Sequence, residues 1–221
     1  MLRVMLIFSL CLIVASLVYG YLNFSSGEHH TARNNLPWQI DTDDKGNIQV
    51  FGLVPGRSTL EDVIKLSPED HDLAIISGKK RMGGLEVYLP SFNAGPLKGK
   101  LIVTADLPNE QLMSMIARAS YSSYTSTGAR KYLLNSEDLA YALLLPLKSM
   151  SFIPTVNLDK AIILQQFGQP AEILTVSEQV DLYLYPAKGL LISLNKAGKE
   201  SLQYIAPQYF DLLVKVTSGN V

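Results

Sequence analysis

The chain has 221 residues, 48% of them apolar, with 19 Lys and Arg against 20 Asp and Glu and a formal net charge of −1. That is enough apolar material for one ordinary core or two small ones, and the near-neutral balance excludes the basic footprint of a nucleic-acid binder or of a polybasic membrane-surface protein. The single cysteine, Cys11, lies in the N-terminal apolar run, so the rest of the chain can form neither an internal disulfide nor a thiolate metal site.

From Val4 to Leu22 the chain carries no charge over 19 residues. As a helix rising about 1.5 Å per residue this run spans about 28 Å, close to the hydrocarbon thickness of a bilayer. Tyr19 and Tyr21 fall at its outer end, where amphipathic rings favour the headgroup layer. Arg3 and the amino terminus precede it, and Glu28, Asp41, Asp43 and Asp44 outnumber Arg33 and Lys45 after it. The positive-inside rule therefore orients the N-terminus to the cytoplasm and the remainder to the periplasmic face of a bacterial inner membrane. A cleaved signal peptide is the competing reading, with Val18, Tyr19 and Gly20 at the cleavage position, although the run exceeds the about 7 to 15 apolar residues usual there.

Residues 23–35 are polar and aperiodic and read as a flexible spacer, so the membrane anchor is expected at 1–22 and a soluble domain at 36–217. Apolar runs on either side of Asp43, Asp44, Lys45 and Gly46 signal a hairpin. Ser58 and Glu61 have capping-box spacing ahead of Leu60, Val63 and Ile64, which predicts a short amphipathic helix. Residues 72–77, 85–89 and 100–105 are strand-like, rich in Val, Ile, Leu and Tyr. Helical segments are expected near 109–119 and 137–145, the second capped by Asn135 or Ser136 and ended by Pro146. Asn157 opens a further helix that stops at Gly168 and Pro170, and strand-like runs follow at 171–176, 180–185, 190–195 and 201–205. A last amphipathic segment covers 208–216.

Leu60 to Ile64 aligns with Leu158 to Ile162, Leu85 to Leu89 with Val180 to Leu184, and Gly99 to Val103 with Gly189 to Ser193. Two degenerate copies, at about 56–106 and 156–206, explain these matches. The expected fold class is α+β: an N-terminal transmembrane helix followed by two helix-plus-antiparallel-meander units.

The second copy, with Phe167, Gly168, Gln169 and Pro170 after a short helix and then Leu182, Tyr183, Leu184 and Tyr185, resembles the small lipoprotein of the outer-membrane β-barrel assembly machine. That resemblance implies two helices packed on a three-stranded antiparallel meander. In the first copy the run from Gly56 to Val63 is similar to the segment that opens that family's helix, but the chain lacks its lipobox and no binding residue carries over. The soluble region also resembles a group of proteobacterial envelope proteins of unassigned function, through the run from Phe51 to Leu60 and that from Gly198 to Tyr204. These are turn and core residues and imply fold alone.

No segment carries a specific catalytic or cofactor motif. His29 and His30 beside Glu28 are adjacent residues in a spacer without rigid geometry, and His71 between Asp70 and Asp72 lies in a turn-like stretch. There is no nucleophile elbow and no phosphate loop, and no spacing singles out a Ser and Lys pair. The stretch from Ser120 to Arg130 is the most suggestive, because Tyr among small hydroxyl residues gives contact area at low entropic cost. Tyr121, Tyr124 and Arg130 are its candidate partner-binding residues; a polar surface connection is the alternative. The sequence thus leads to the expectation of a non-catalytic, membrane-anchored envelope protein that binds a protein partner, as an accessory subunit or scaffold of a membrane assembly. No metal, cofactor or nucleic acid is expected. A module for lipid or cell-wall glycan is the second reading, and a Ser/Lys-type envelope hydrolase the third.

Overall fold

A computed structural model describes residues 35–78 and 83–219. The anchor expected at Val4 to Leu22 and the spacer, apart from Asn35, lie outside the described residues, and among the described residues no helix is long and apolar enough to cross a membrane.

Asp43 organises the first hairpin, between β1 (Asp41–Thr42) and β2 (Ile48–Gln49). Its carboxylate accepts the backbone N–H groups of Lys45 and Asn47, both at 2.9 Å, and the Asn47 side-chain amide. The chain then turns sharply where Val50 and Leu53 bridge, with Phe51 at φ 56° and Gly52 at φ 77°. A left-handed backbone costs a bulky residue about 1–2 kcal/mol. Here it drives the Phe51 ring into an aromatic cluster with Phe92, Tyr204 and Phe152, at centroid distances of 5.2, 5.5 and 5.6 Å. Burying a Phe side chain returns about 1.5–3 kcal/mol, so packing outweighs strain.

Helix α1 (Leu60–Ile64) starts one residue later than its sequence spacing suggests. Thr59 and Asp62 make the capping box, because the Ser58 hydroxyl instead accepts Val54 N–H and closes the preceding turn. The strands are β3 (Asp72–Ser77), β4 (Gly84–Ala94), β5 (Leu97–Ala105), β6 (Tyr121–Tyr124), β7 (Arg130–Leu133), β8 (Leu147–Pro154), β9 (Glu172–Ser177), β10 (Val180–Tyr185), β11 (Leu190–Asn195) and β12 (Ser201–Ile205). The remaining helices are α2 (Asn109–Ala117), α3 (Ser136–Leu143), α4 (Lys160–Phe167) and α5 (Phe210–Ser218). Asn135 caps α3 and Asp159 caps α4, the latter because Asn157 Oδ1 accepts Lys199.

The expected fold class is overturned. In place of an α+β arrangement of two helix-plus-meander units, β3 to β12 form one ten-stranded antiparallel sheet in the order β6-β7-β3-β4-β5-β8-β12-β11-β10-β9, with few helices. The cause is β8, which follows Pro146 without a helical or turn signal of its own. It pairs with β5 on one side, Leu101 opposite Phe152, and with β12 on the other, Leu202 opposite Phe152. A strand that bonds both meanders joins them into one sheet within the unit Asn34–Val221.

The sequence alignment of the two segments also fails on faces. Val87 and Leu89 of β4 point into the main core, whereas Leu182 and Leu184, aligned with them, point to the opposite side, and it is Tyr183 and Tyr185 that enter the main core. Tyr88 and Tyr183 therefore occupy opposite faces, because a shift of one residue inverts every side chain of a strand.

The main core lies on one face of the sheet. There Leu60 and Val63 of α1, Leu112 and Met115 of α2, Ala142 of α3, and Ile163 and Phe167 of α4 pack with the N-terminal Ile48, Val50 and Phe51. On the reverse face α5 lays Phe210 over Leu182, Leu184, Leu191 and Ile205. Double coverage explains why β10 is buried along four consecutive residues while β4 alternates. Gly189 between β10 and β11, at φ 54°, admits no side chain, since a Cβ there would lie 2.0 Å from the Ile205 carbonyl oxygen.

Candidate functional site

The polar stretch at 120–130, read as a binding loop or as a connecting loop or edge strand, holds a terminal strand at 121–124, a turn, and the first residue of the next strand at Arg130. Tyr121 to Tyr124 form β6, the terminal strand of the sheet, folded back on β7 with Tyr121 opposite Leu133 and Tyr124 opposite Arg130. Among the described residues its outer edge therefore presents backbone N–H and C=O groups with no further strand beside them, the arrangement that accepts an added strand.

The hairpin is held at both ends. At its base the Ser120 N–H donates to the Leu133 carbonyl at 2.9 Å, and the Asn135 amide donates to the Arg118 carbonyl at 3.2 Å. Arg118 follows α2 and Asp138 lies in the first turn of α3. Arg118 Nε and Nη2 donate to the two Asp138 oxygens at 2.8 and 2.6 Å, across the point where the hairpin begins and ends. Asp138 is only 2% exposed, and its carboxylate holds the Arg118 guanidinium pKa above the usual arginine value, chiefly through these hydrogen bonds. At the tip Thr125 N–H donates to the Ala129 carbonyl at 2.8 Å.

The structure brings two of the three sequence candidates together and separates the third. The Arg130 guanidinium lies 5.9 Å from the centroid of Tyr124 and 5.3 Å from that of Tyr132, and Nη2 donates to the Ser122 hydroxyl at 3.2 Å. Tyr121 is on the opposite face, beside Leu133, because it is an odd number of residues from Tyr124 in an extended strand. Tyr124 is 74% exposed and Tyr121 60%, far more than a core role would leave. Tyr132 and Ser122, which complete the cluster, were missed; their only signal was the period-two pairing of the two strands. No acidic residue occurs between Ser120 and Leu134, whereas Arg130 and Lys131 are adjacent. Lys131 pairs with Asp72 of β3.

Among the described residues no group of three His, Cys, Asp or Glu is placed to hold a metal ion, and no Lys ammonium is hydrogen-bonded to a serine hydroxyl. The most perturbed carboxylate is Glu86 in β4, which stands between Ala74 and Thr104 on the face away from the main core and is pushed up to about 7 by burial. Comparison with known proteins finds no matching family model, curated protein or solved structure.

Proposed function

We propose that this chain is a protein-binding module of the bacterial envelope, and that the β6–β7 hairpin is its docking element. The observation that carries the reading is the combination, on one terminal hairpin, of a backbone edge unpaired among the described residues, two exposed tyrosines on β6 and an arginine of β7 over aromatic rings. Tyrosine and arginine supply most interface hot spots, and a rigid base lowers the ordering cost of binding. An extended segment of the partner adds beside β6, and the local excess of positive charge favours an acidic one.

The uncharged run from Val4 to Leu22, with Arg3 before it and acidic residues after it, supports placing the module at the inner membrane with its C-terminus in the periplasm, as an accessory subunit or scaffold. An alkaline phosphatase fused at the C-terminus is then active; a silent fusion refutes that orientation.

Partner binding is tested by placing a photo-crosslinking residue at position 124 in the full chain and identifying the product by mass spectrometry. One dominant adduct is expected, and it disappears when Tyr121, Tyr124 and Arg130 are replaced together by Ala, with the melting temperature nearly unchanged. A folded triple variant that retains its partner places the interface elsewhere. A triple variant that unfolds shows these side chains to be structural.

A further inference from the structure

A second site lies away from the hairpin, where three chain segments meet at the start of β8. Gly56 N–H donates to the Leu147 carbonyl at 2.7 Å, Leu147 N–H to the Ser58 carbonyl at 2.8 Å, and Asp106 N–H to the Pro146 carbonyl at 2.8 Å. Pairing of β5 with β8 shifts register here: Thr104 faces Ser149 and Ala105 faces Leu147, so Lys148 is an extra residue on a β-bulge. Bulges redirect a side chain out of the strand's alternation. Lys148, Arg57 and Asp106 together line a cleft of about 450 Å³, which Pro55, Ala206, Tyr209 and Leu212 also line.

Both cations are weakly engaged. Arg57 makes a single side-chain contact among the described residues, 3.4 Å from Nη1 to Asp43 Oδ2, and that carboxylate is already occupied by Asn47 and the Lys45 N–H. Lys148 stands 3.7 Å from Asp106, beyond hydrogen-bond distance, with both side chains about half exposed. Lining the same cleft, Tyr209 and Leu212 are 51% and 49% exposed and give it large apolar surface. A guanidinium fork and an ammonium on separate segments suit a dianion with three oxygens better than a planar carboxylate. The volume lies within the range of small-molecule sites.

We propose that this cleft binds a phosphate monoester carried on an apolar body, with Arg57 and Lys148 on the phosphate and Tyr209 and Leu212 on the body. The Asp106 carboxylate opposes the anion and draws Lys148 away from it, so it limits affinity. The site is independent of the hairpin and of the protein-binding reading.

The test is calorimetric titration of the full chain in a non-ionic detergent with phenyl phosphate, inorganic phosphate and dihexanoyl phosphatidate below its micelle concentration. Phenyl phosphate is expected to bind at least about tenfold more tightly than inorganic phosphate. Arg57→Gln with Lys148→Gln weakens it by about tenfold or more, and Tyr209→Ala with Leu212→Ala abolishes the preference for the phenyl ester. Asp106→Asn tightens binding, a gain that misfolding cannot produce. Displacement of phenyl phosphate by the phosphatidate identifies a lipid headgroup as the source; binding of the phenyl ester alone identifies a soluble one. Equal affinities in the native chain and the Arg57, Lys148 variant, or no saturable binding at about 10 mM, overturn the proposal.

Discussion

At the scale of single residues, two side chains hold the fold in ways that can be measured. Phe51 combines a strained backbone with a fully enclosed ring, so Phe51→Ala loses the packing and keeps the strain. A destabilisation of about 3–5 kcal/mol is expected in urea unfolding, and a loss below about 1 kcal/mol would show that the aromatic cluster contributes little. Glu86 titrates in a half-buried place, with Asp72 of the Asp72–Lys131 ion pair two register positions along, on the same face. Its folded value, raised to about 7 from an ordinary 4.5, means that the folded state holds the proton more firmly than the unfolded state. Its contribution to stability is therefore complete below the unfolded value and is lost as pH rises from the ordinary value to the raised one. Glu86→Gln flattens that decline in a melting-temperature profile; an unchanged slope would assign it to other groups.

At the scale of elements, the hairpin depends on its base. Arg118→Ala leaves a buried Asp138 carboxylate without its bidentate donor, for an expected cost of about 2 kcal/mol. The sharper consequence is local: amide exchange in β6 and β7 accelerates more than in β4 and β5, because the terminal hairpin loses the clamp between α2 and α3. Uniform acceleration across the sheet would contradict that role. Part of this element was legible in the sequence, since Tyr121, Tyr124 and Arg130 stand in one composition-biased stretch. The assignment of Tyr121 to the other face was not, because it requires knowing that the segment is extended and not a loop.

At the scale of the whole molecule, one sheet implies one cooperative transition. Far-ultraviolet circular dichroism and the fluorescence of Trp38, which meets Phe167 edge-on at 6.1 Å, are expected to report coincident urea midpoints. Two separated midpoints would show that parts of the sheet unfold independently. A fragment of residues 36–106 is likewise expected not to fold, since it would expose the β5 edge that β8 covers, with Leu101 and Val103 on its apolar side.

The amino-acid sequence by itself determined what depends on near neighbours: the hairpin around Asp43, the short helix after Gly56, the 72–77 strand and a cap for the third helix at Asn135 or Ser136. Each rests on turn chemistry or on a period that a few consecutive residues express. Only the tertiary structure decided which strands are partners. Residues 147–154 alternate buried Phe152 and Pro154 with half-buried Ser151 and Ile153, a strand signal too short to reveal that both β5 and β12 would claim it. Face assignment was beyond local reading for the same reason, because Leu182 and Tyr183 are both large and both buried, and burial on both sides erases the alternation. The cleft of Arg57 and Lys148 is the extreme case. Two cations far apart in the chain meet through backbone bonds of three segments and a one-residue bulge, and long-range hydrogen bonding leaves no trace in the order of residues.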